Sequence, residues 1–398
     1  MGYHPEMRLV LACVICCACG NGPLDYPPAP LHDLGIHEGP TYVARNLMAP
    51  NGIAVLLAHP RLGQPAIRRA GEAFDVSWIA PGLSATPPVL ALDQGDPITS
   101  SPPVCDADGI CHATATIPAA APGLHGLCIT LGMASTCSAN AIAIVTDYAS
   151  PATVVHVSDA HIGEDGTAEL FGKVIDRINA LDPPADFAIF TGDGADDGLA
   201  PHRASFVTLI GQLQIPVFII TGNHDYENVG IDGHLLDVGP ELDFAAPYGD
   251  LRLVGLSSGQ DLDNGHHIGT ISESSGPDIG QLDWLHSLLV DTPATNVIFF
   301  HHPIYNALFA TIGPQSRDRL KDLVTRNDVL AVLTGHTHVR SAFDADGNSR
   351  GLSLDGDTVP SARWPLHFSV ARSTNGSGGF AVFHLSSTHV DYRWVPLD

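Results

Sequence analysis

Five short stretches of this chain place groups able to hold a metal ion directly behind apolar runs. Val217-Phe218-Ile219-Ile220 empties into Thr221-Gly222-Asn223-His224-Asp225, an amide, an imidazole and a carboxylate in succession. Thr153 to Ser158 leads to Asp159-Ala160-His161, and Phe187-Ala188-Ile189-Phe190 leads to Thr191-Gly192-Asp193. Asn296 to Phe300 ends in His301-His302-Pro303, and Val329 to Leu333 in Thr334-Gly335-His336-Thr337-His338. Taken alone, the Thr221 to Asp225 stretch reads equally well as an Asn-rich turn with a capping Asp. Five such stretches, each closing an apolar run, form a joint signal that chance does not produce. Such N and O donors suit a hydrolytic metal site with a proton donor beside it. Two divalent ions roughly 3.5–4 Å apart need one carboxylate that bridges them and terminal ligands for each. Asp193 is the natural bridge, because Gly192 lets the backbone turn sharply behind it. His336 and His338 straddle Thr337, and in an extended turn residues two apart point the same way. One segment can then feed both ions.

The elements that must position these groups are strands ending at a common edge. Apolar runs followed by Gly read as buried strands running into tight turns, and in open α/β sheets chemistry collects at the carboxyl ends of strands. Between the runs lie helical patterns. Leu170, Val174, Ile178 and Leu181 share one face, Phe206 to Leu213 behaves alike, and further helices start at Gly280 and Arg317. Alternating strands and helices predict a layered α/β domain over 149–398. Gly379 to Phe383 and His389 to Trp394 read as a closing antiparallel pair. No internal repeat is present.

The 398 residues suffice for two domains. Eighteen basic against 43 acidic residues give a formal charge of -25. That field repels a phosphate backbone, so nucleic acid is not an expected partner, and an anionic substrate needs metal cations to offset the repulsion. No protein partner is predicted. Of eight cysteines, four precede residue 20 and four lie between 105 and 137, so the metal-like half contains no thiol and any metal there is held by N and O atoms.

Met7-Arg8 followed by Leu9 to Ala18 has the charged start and apolar core of an export segment, residues 1–19, and is too short to span a bilayer of roughly 30 Å. Ala18-Cys19-Gly20 resembles a bacterial lipoprotein processing site, which implies a lipid anchor on Cys19; Cys16 stands where such sites usually carry Leu. Cleavage without lipid is the alternative. The expected location is exported, periplasmic or cell-surface, with an outer-membrane anchor if Cys19 is lipidated. Residues 20–37, rich in Pro, Gly and Asn, suit a surface tether. Over 38–148 the apolar runs are short, and Ala73 to Trp78 alternates apolar and polar residues as a half-buried strand does. Cys105 to Cys111 encloses Asp108-Gly109, and Cys128 to Cys137 encloses Leu131-Gly132, so each pair reads as a hairpin stapled by a disulfide, one of three connectivities open to four cysteines. A small all-β sandwich of immunoglobulin-like type is expected there, packed on the second domain or spacing it from a membrane.

In this order, Asp-x-His, Gly-Asp, Gly-Asn-His-Asp, His-His-Pro and Gly-His-Thr-His resemble the motif set of the calcineurin-like metallophosphoesterases, over residues 151–398. About thirty residues separate the first three motifs from one another and a longer gap precedes His301, as in that family. The resemblance implies a four-layer α/β/β/α sandwich with two mixed sheets between helices. It implies that Asp159, His161 and His338 complete one metal and that Asn223, His301 and His336 complete the other, with Asp193 shared. His302 then falls outside the ligand set. By the same resemblance, a water or hydroxide between the ions attacks phosphorus in line and His224 protonates the leaving oxygen as general acid. Asp225 either orients His224 or caps the turn.

Purple acid phosphatases carry a Tyr three residues after the Gly-Asp carboxylate, where this chain has Asp196, and a Gly where it has His161. A ferric-tyrosinate centre is therefore not expected. The chain looks closer to the bacterial Asp-x-His branch that includes cyclic-nucleotide phosphodiesterases, with Mn, Fe or Zn as the metal pair. The implied activity is hydrolysis of a phosphomonoester or phosphodiester of a small molecule; the alternative is a catalytically degenerate binding protein on the same scaffold. His156, inside a strand, reads as a core residue. Arg252 and Arg340 are candidates for binding phosphate, and the loops 196–202, 227–248 and 260–276 for setting specificity.

Overall fold

A computed structural model describes residues 39–261, 267–268, 279–291, 294–305, 314–350, 357–359, 364–374 and 378–397. The export segment with Cys19, the tether at 20–37 and most of the loop 260–276 lie outside the described residues.

Two sheets form the larger part of the protein. In the first, strands Ala152–Val157, Phe187–Phe190 and Val217–Ile219 run parallel, while Gly379–Ser386, His389–Pro396 and Asp357–Thr358 extend the sheet antiparallel on its other side. The second is ordered Phe244–Tyr248, Leu251–Gly255, Thr295–Phe299, Val329–Thr334, Leu366–Ser369, Ser341–Phe343 and Ser349–Arg350. Both are mixed, and the four strands from Leu251 to Ser369 run parallel.

Side-chain alternation along the strands makes the layers. Val154, Phe187, Ile189 and Phe218 join the large core that also holds Val297, Phe299, Leu333 and Phe368 of the second sheet. Their neighbours Val155, Val157, Ala188, Phe190, Val217 and Ile219 face the other way, onto Phe171, Val174 and Ile178 of helix Thr167–Asn179 and Phe206 and Ile210 of helix Ala200–Ile210. Helices Ile279–Asp291 and Pro314–Arg326 contribute Leu282, Leu285, Leu289, Leu320 and Val324 to the core of the second sheet. Three of the four helices and the closing antiparallel pair fall where periodicity predicts them, the helix expected over Phe206 to Leu213 running Ala200–Ile210 instead, and the architecture is the α/β/β/α sandwich expected.

Residues 39–145 are β-rich after a short helical stretch, Gly39–Leu47. Nine strands pair almost wholly antiparallel around one core containing Phe74, Val76, Trp78, Leu90, Leu127, Ile129 and Ile142. Cys105 lies opposite Cys111 and Cys128 opposite Cys137 in adjacent strands, and both pairs are disulfides. This region is no detached spacer. Its tight turn Arg61–Gln64 lies along the free edge of the first sheet, where the Ile219 amide donates to the Gly63 carbonyl at 2.8 Å.

Candidate metal centre

All seven predicted ligands gather at the carboxyl ends of the parallel strands. The backbone turns that deliver them are unusual. Asp159, His161, Asp193, His336 and His338 have φ of 55°, 45°, 56°, 67° and 56°, making up five of the seven non-glycine residues with positive φ among those described. L residues rarely adopt this left-handed region. Cross-chain hydrogen bonds fix it: the Asp159 amide donates to the Gly192 carbonyl and the His161 amide to the Asp193 carbonyl, each at 3.0 Å. The loops also lie very close. A Cβ on Gly222 would sit 2.2 Å from Asp193 Oδ1, so the Gly before Asn223 is required by contact.

Two groups of donors carry the expected ligands, beside a third made of His161, Asp196 and His224. Asp159, His161 and His338 bring one ligand atom each to within 4.8 Å of one another, and so do Asp193, His301 and His336. His161 Nε2 lies 3.0 Å from His338 Nε2, 3.9 Å from Asp159 Oδ1 and 3.7 Å from Asp193 Oδ2. On the other side, His301 Nε2 is 3.1 Å from both Asp193 Oδ2 and Asn223 Oδ1. Asp193 thus faces both groups, the position required of a bridge. The buried His336 Nε2 has no hydrogen-bond partner among the described residues. An orphaned imidazole nitrogen beside two buried carboxylates fits a metal ligand, and the all-N/O donor set suits Mn, Fe or Zn.

Partners behind the rings aim them. His161 Nδ1 is 3.0 Å from Asp196 Oδ1, and His301 Nδ1 donates to the Thr191 carbonyl at 2.6 Å, which turns each Nε2 toward Asp193. The Ser258 hydroxyl accepts the amides of His301 and His302 at 3.2 and 3.0 Å and meets His302 Nδ1 at 2.9 Å. His302 therefore sits behind the ligands, as expected.

The electrostatics have one sense. Burial alone would raise Asp193 and Asp159, but His301 and the His338 and His301 rings respectively hold both carboxyls below the ordinary range. Burial would likewise lower His301, yet the adjacent Asp193 carboxylate holds it up to about 9. His336 is pushed down to about 4, by burial first and by His301 second. Buried carboxylates here favour positive charge, and a neutral imidazole is available to bind it.

His224 stands at the rim. Its amide donates to Asp193 Oδ1 at 2.9 Å and its Nδ1 donates to the Asp196 carbonyl, with Glu227 Oε1 at 3.6 Å. Burial would lower its pKa, but Asp193, the Asp196 carbonyl and Glu227 outweigh it and the pKa is raised. Its Nε2 edge is left to carry a proton.

Asp225 differs from the reading in which it orients His224. Its carboxylate accepts four backbone amides: Asp193 and Gly222 on Oδ2 at 2.9 and 2.8 Å, Gly194 and Ala195 on Oδ1 at 3.1 and 3.2 Å. Both oxygens are occupied, so it caps and ties two ligand loops together. Burial and Asp193 push its carboxyl up to about 6, against these amides.

The phosphate-binding candidates fall elsewhere. Arg252 is buried at the opposite, amino end of its strand and donates to Asn296 Oδ1 at 2.7 Å. Arg340 lies over the Trp394 ring at 4.9 Å. His156 is a core residue, 3.0 Å from the Thr191 hydroxyl. A cation near the centre that sequence reasoning passed over is Arg372, paired with Glu164 at 3.1 and 2.5 Å.

Residues 152–340 match the profile of the calcineurin-like phosphoesterases. Three bacterial relatives agree. A probable cyclic nucleotide phosphodiesterase of Rhodococcus erythropolis is 28% identical over 61% of this chain and 83% of its own length. A probable glycerophosphodiester phosphodiesterase of Arcobacter nitrofigilis is 32% identical over 46% of this chain and 71% of its own. A cAMP/cGMP dual-specificity phosphodiesterase of Mycobacterium tuberculosis is 26% identical over 61% of this chain and 79% of its own. With seven N/O side chains of the expected motifs converging on an α/β/β/α sandwich, the chain belongs to the calcineurin-like metallophosphoesterase family. Within that family it is a phosphoric ester hydrolase.

Proposed function

We propose that the protein is a dinuclear-metal phosphodiesterase acting on small-molecule diesters, with an alkyl or nucleoside alcohol as leaving group. The observation that carries this reading is Asp193, whose carboxylate faces His161 on one side and His301 on the other. Asp159, His161 and His338 would hold one ion, Asn223, His301 and His336 the second, and Asp193 both. Two bound cations supply charge neutralisation of a phosphoryl group and acidify water. The chain's own residues do the rest. Asp196 and Thr191 aim the ligand rings, Asp225 locks the two loops in register, and His224 delivers a proton to the departing alkoxide. The diester preference is supported by the relatives above, named as phosphodiesterases of cyclic nucleotides and glycerophosphodiesters. Export to the cell envelope, with Cys19 as a lipid anchor, belongs to the same proposal; its support is the segment 7–20 and the two disulfides. The deciding experiment compares bis-p-nitrophenyl phosphate with p-nitrophenyl phosphate as substrates of the manganese-loaded protein. Faster turnover of the diester is expected, and a clear monoester preference would overturn the reading.

A further inference from the structure

The segment that carries His224 has little structure of its own. Residues 224–237 form two short helical turns joined at a kink, where Asn228 takes φ 51°. Its apolar side chains need a surface to cover them, and that surface is supplied by the β-rich region. Tyr226, Ile231, Leu235 and Leu242 share one buried cluster with Val43, Ala44, Leu47, Met48, Leu56, Ala58, Ile79 and Ile110. Eight of these twelve residues come from the N-terminal side of the molecule.

Polar contacts follow the same seam. Tyr42 Oη donates to Asp232 Oδ1 at 3.0 Å, the Arg61 guanidinium to the Asp237 carbonyl at 3.0 Å, and the Gln64 amide to the Glu241 carbonyl at 2.5 Å. Leu62 enters the core under the first catalytic sheet, together with Ile219 and Val238. Gly63 is needed there, since a Cβ would lie 2.4 Å from Val238 Cγ1.

From this cluster a short path leads to the ligand loop. The Tyr226 hydroxyl lies 2.6 Å from Ser257 Oγ, which lies 3.1 Å from the Thr221 hydroxyl, the first residue of Thr221-Gly222-Asn223-His224-Asp225. The Tyr226 amide closes back on the Asn223 carbonyl at 3.2 Å. Tyr226, two residues after His224, is thus clamped between the N-terminal cluster and the metal-binding turn.

We infer that the N-terminal β-rich region is a positioning element of the active site: through Ile79, Ile110 and their cluster it fixes Tyr226, and through Tyr226 the placement of His224. This rests on the proposed role of His224 as general acid. A leaving group that departs as a stable anion gains little from an acid, whereas an alkoxide depends on it. Loosening the cluster should therefore slow alkyl diesters far more than nitrophenyl diesters.

The test measures kcat and KM of the full chain on a 3′,5′-cyclic nucleotide and on bis-p-nitrophenyl phosphate, with metal content determined in parallel. Paired Ile79→Ala and Ile110→Ala substitutions are expected to lower kcat on the cyclic nucleotide at least about tenfold and on the nitrophenyl diester less than about threefold, out of the 10²–10⁴-fold that acid catalysis supplies. KM and metal content should be unchanged. Equal losses on both substrates, or no loss, would overturn the inference. His224→Ala run alongside separates the two readings: if it lacks the leaving-group split, the assignment of the acid has failed, whereas a split there without one in the isoleucine variant defeats the positioning role alone. If the isoleucine variant does not fold, Tyr42→Phe, which keeps the packing, decides instead. It must shift the same ratio in the same direction and hasten amide exchange within 224–237; an unchanged ratio would overturn the proposal.

Discussion

The Nε2 atoms of His161 and His338 lie 3.0 Å apart, although 177 positions separate the two residues in the chain. His161 is held by Asp196 on its other nitrogen, and His338 Nε2 comes within 3.3 Å of Asp159 Oδ1. Two imidazole nitrogens and a buried carboxylate converging in this way suit a shared cation better than each other. The same holds across Asp193, whose removal tests the pairing of the two groups.

Asp193→Ala is expected to abolish two-metal occupancy, leaving at most one ion per chain. Elemental analysis of the purified variant reads this directly. Wild-type stoichiometry would remove Asp193 as the bridge.

His224→Ala should retain both ions, because none of the seven ligands changes. Turnover of alkyl diesters is expected to fall by about 10²-fold or more, while the p-nitrophenyl ester is far less affected. Steady-state rates on the two substrates check it, and equal rates to wild type on the alkyl ester would exclude the acid role.

Asp225→Ala strips the acceptor from four buried amides and should destabilise the protein by about 2–4 kcal/mol, since leaving buried donors unpaired costs more than a hydrogen bond contributes. Asp225→Asn, which keeps one acceptor oxygen, should lose less. Chemical denaturation at neutral pH measures both, and an Asp225→Ala midpoint equal to wild type would sink the capping role.

Acid should unfold the protein early. Burial pushes His59 down to about 4 and His156, His234 and His367 to about 3, from 6.5 when exposed. Between those values the unfolded chain binds protons that the folded one refuses, so stability rises with pH across this window and is lost as pH falls below about 6.5. Each such imidazole costs about 1.4 kcal/mol per pH unit there. Thermal melts between pH 7 and 4 should show a steep fall in Tm, and His367→Phe should flatten it.

Much of the site was legible because each ligand closes an apolar strand, and strand ends at one sheet edge must meet. The four helices were legible for the same reason, since their period exposes one apolar face. Other features carry no periodic signal. Asp225 reaches amides thirty residues back in the chain, and Asp196 serves His161 with its carboxylate and His224 with its carbonyl. Nothing in their local sequence distinguishes these contacts from a solvated turn. Arg252 and Arg340 illustrate the converse. Their charge suggested phosphate, but the register of Arg252 opposite Asn296 places it at the wrong end of its strand, and Arg340 is taken up by Trp394. The seam between Leu62 and the first sheet was equally hidden, because four residues of turn give no sign of which surface they cover.

Left-handed backbone at five of the seven proposed ligands has a consequence for durability. An L residue in that region carries about 1 kcal/mol of strain that glycine would not. The centre is therefore the part of the fold least suited to its own side chains, kept for what they bind. Exchanging the half-exposed His338 for glycine should relieve that strain and yield a metal-poor, inactive protein that melts higher than the metal-stripped parent. Selection for thermal endurance alone would erode this centre first, and a heat-tolerant but silent variant is what such selection should return.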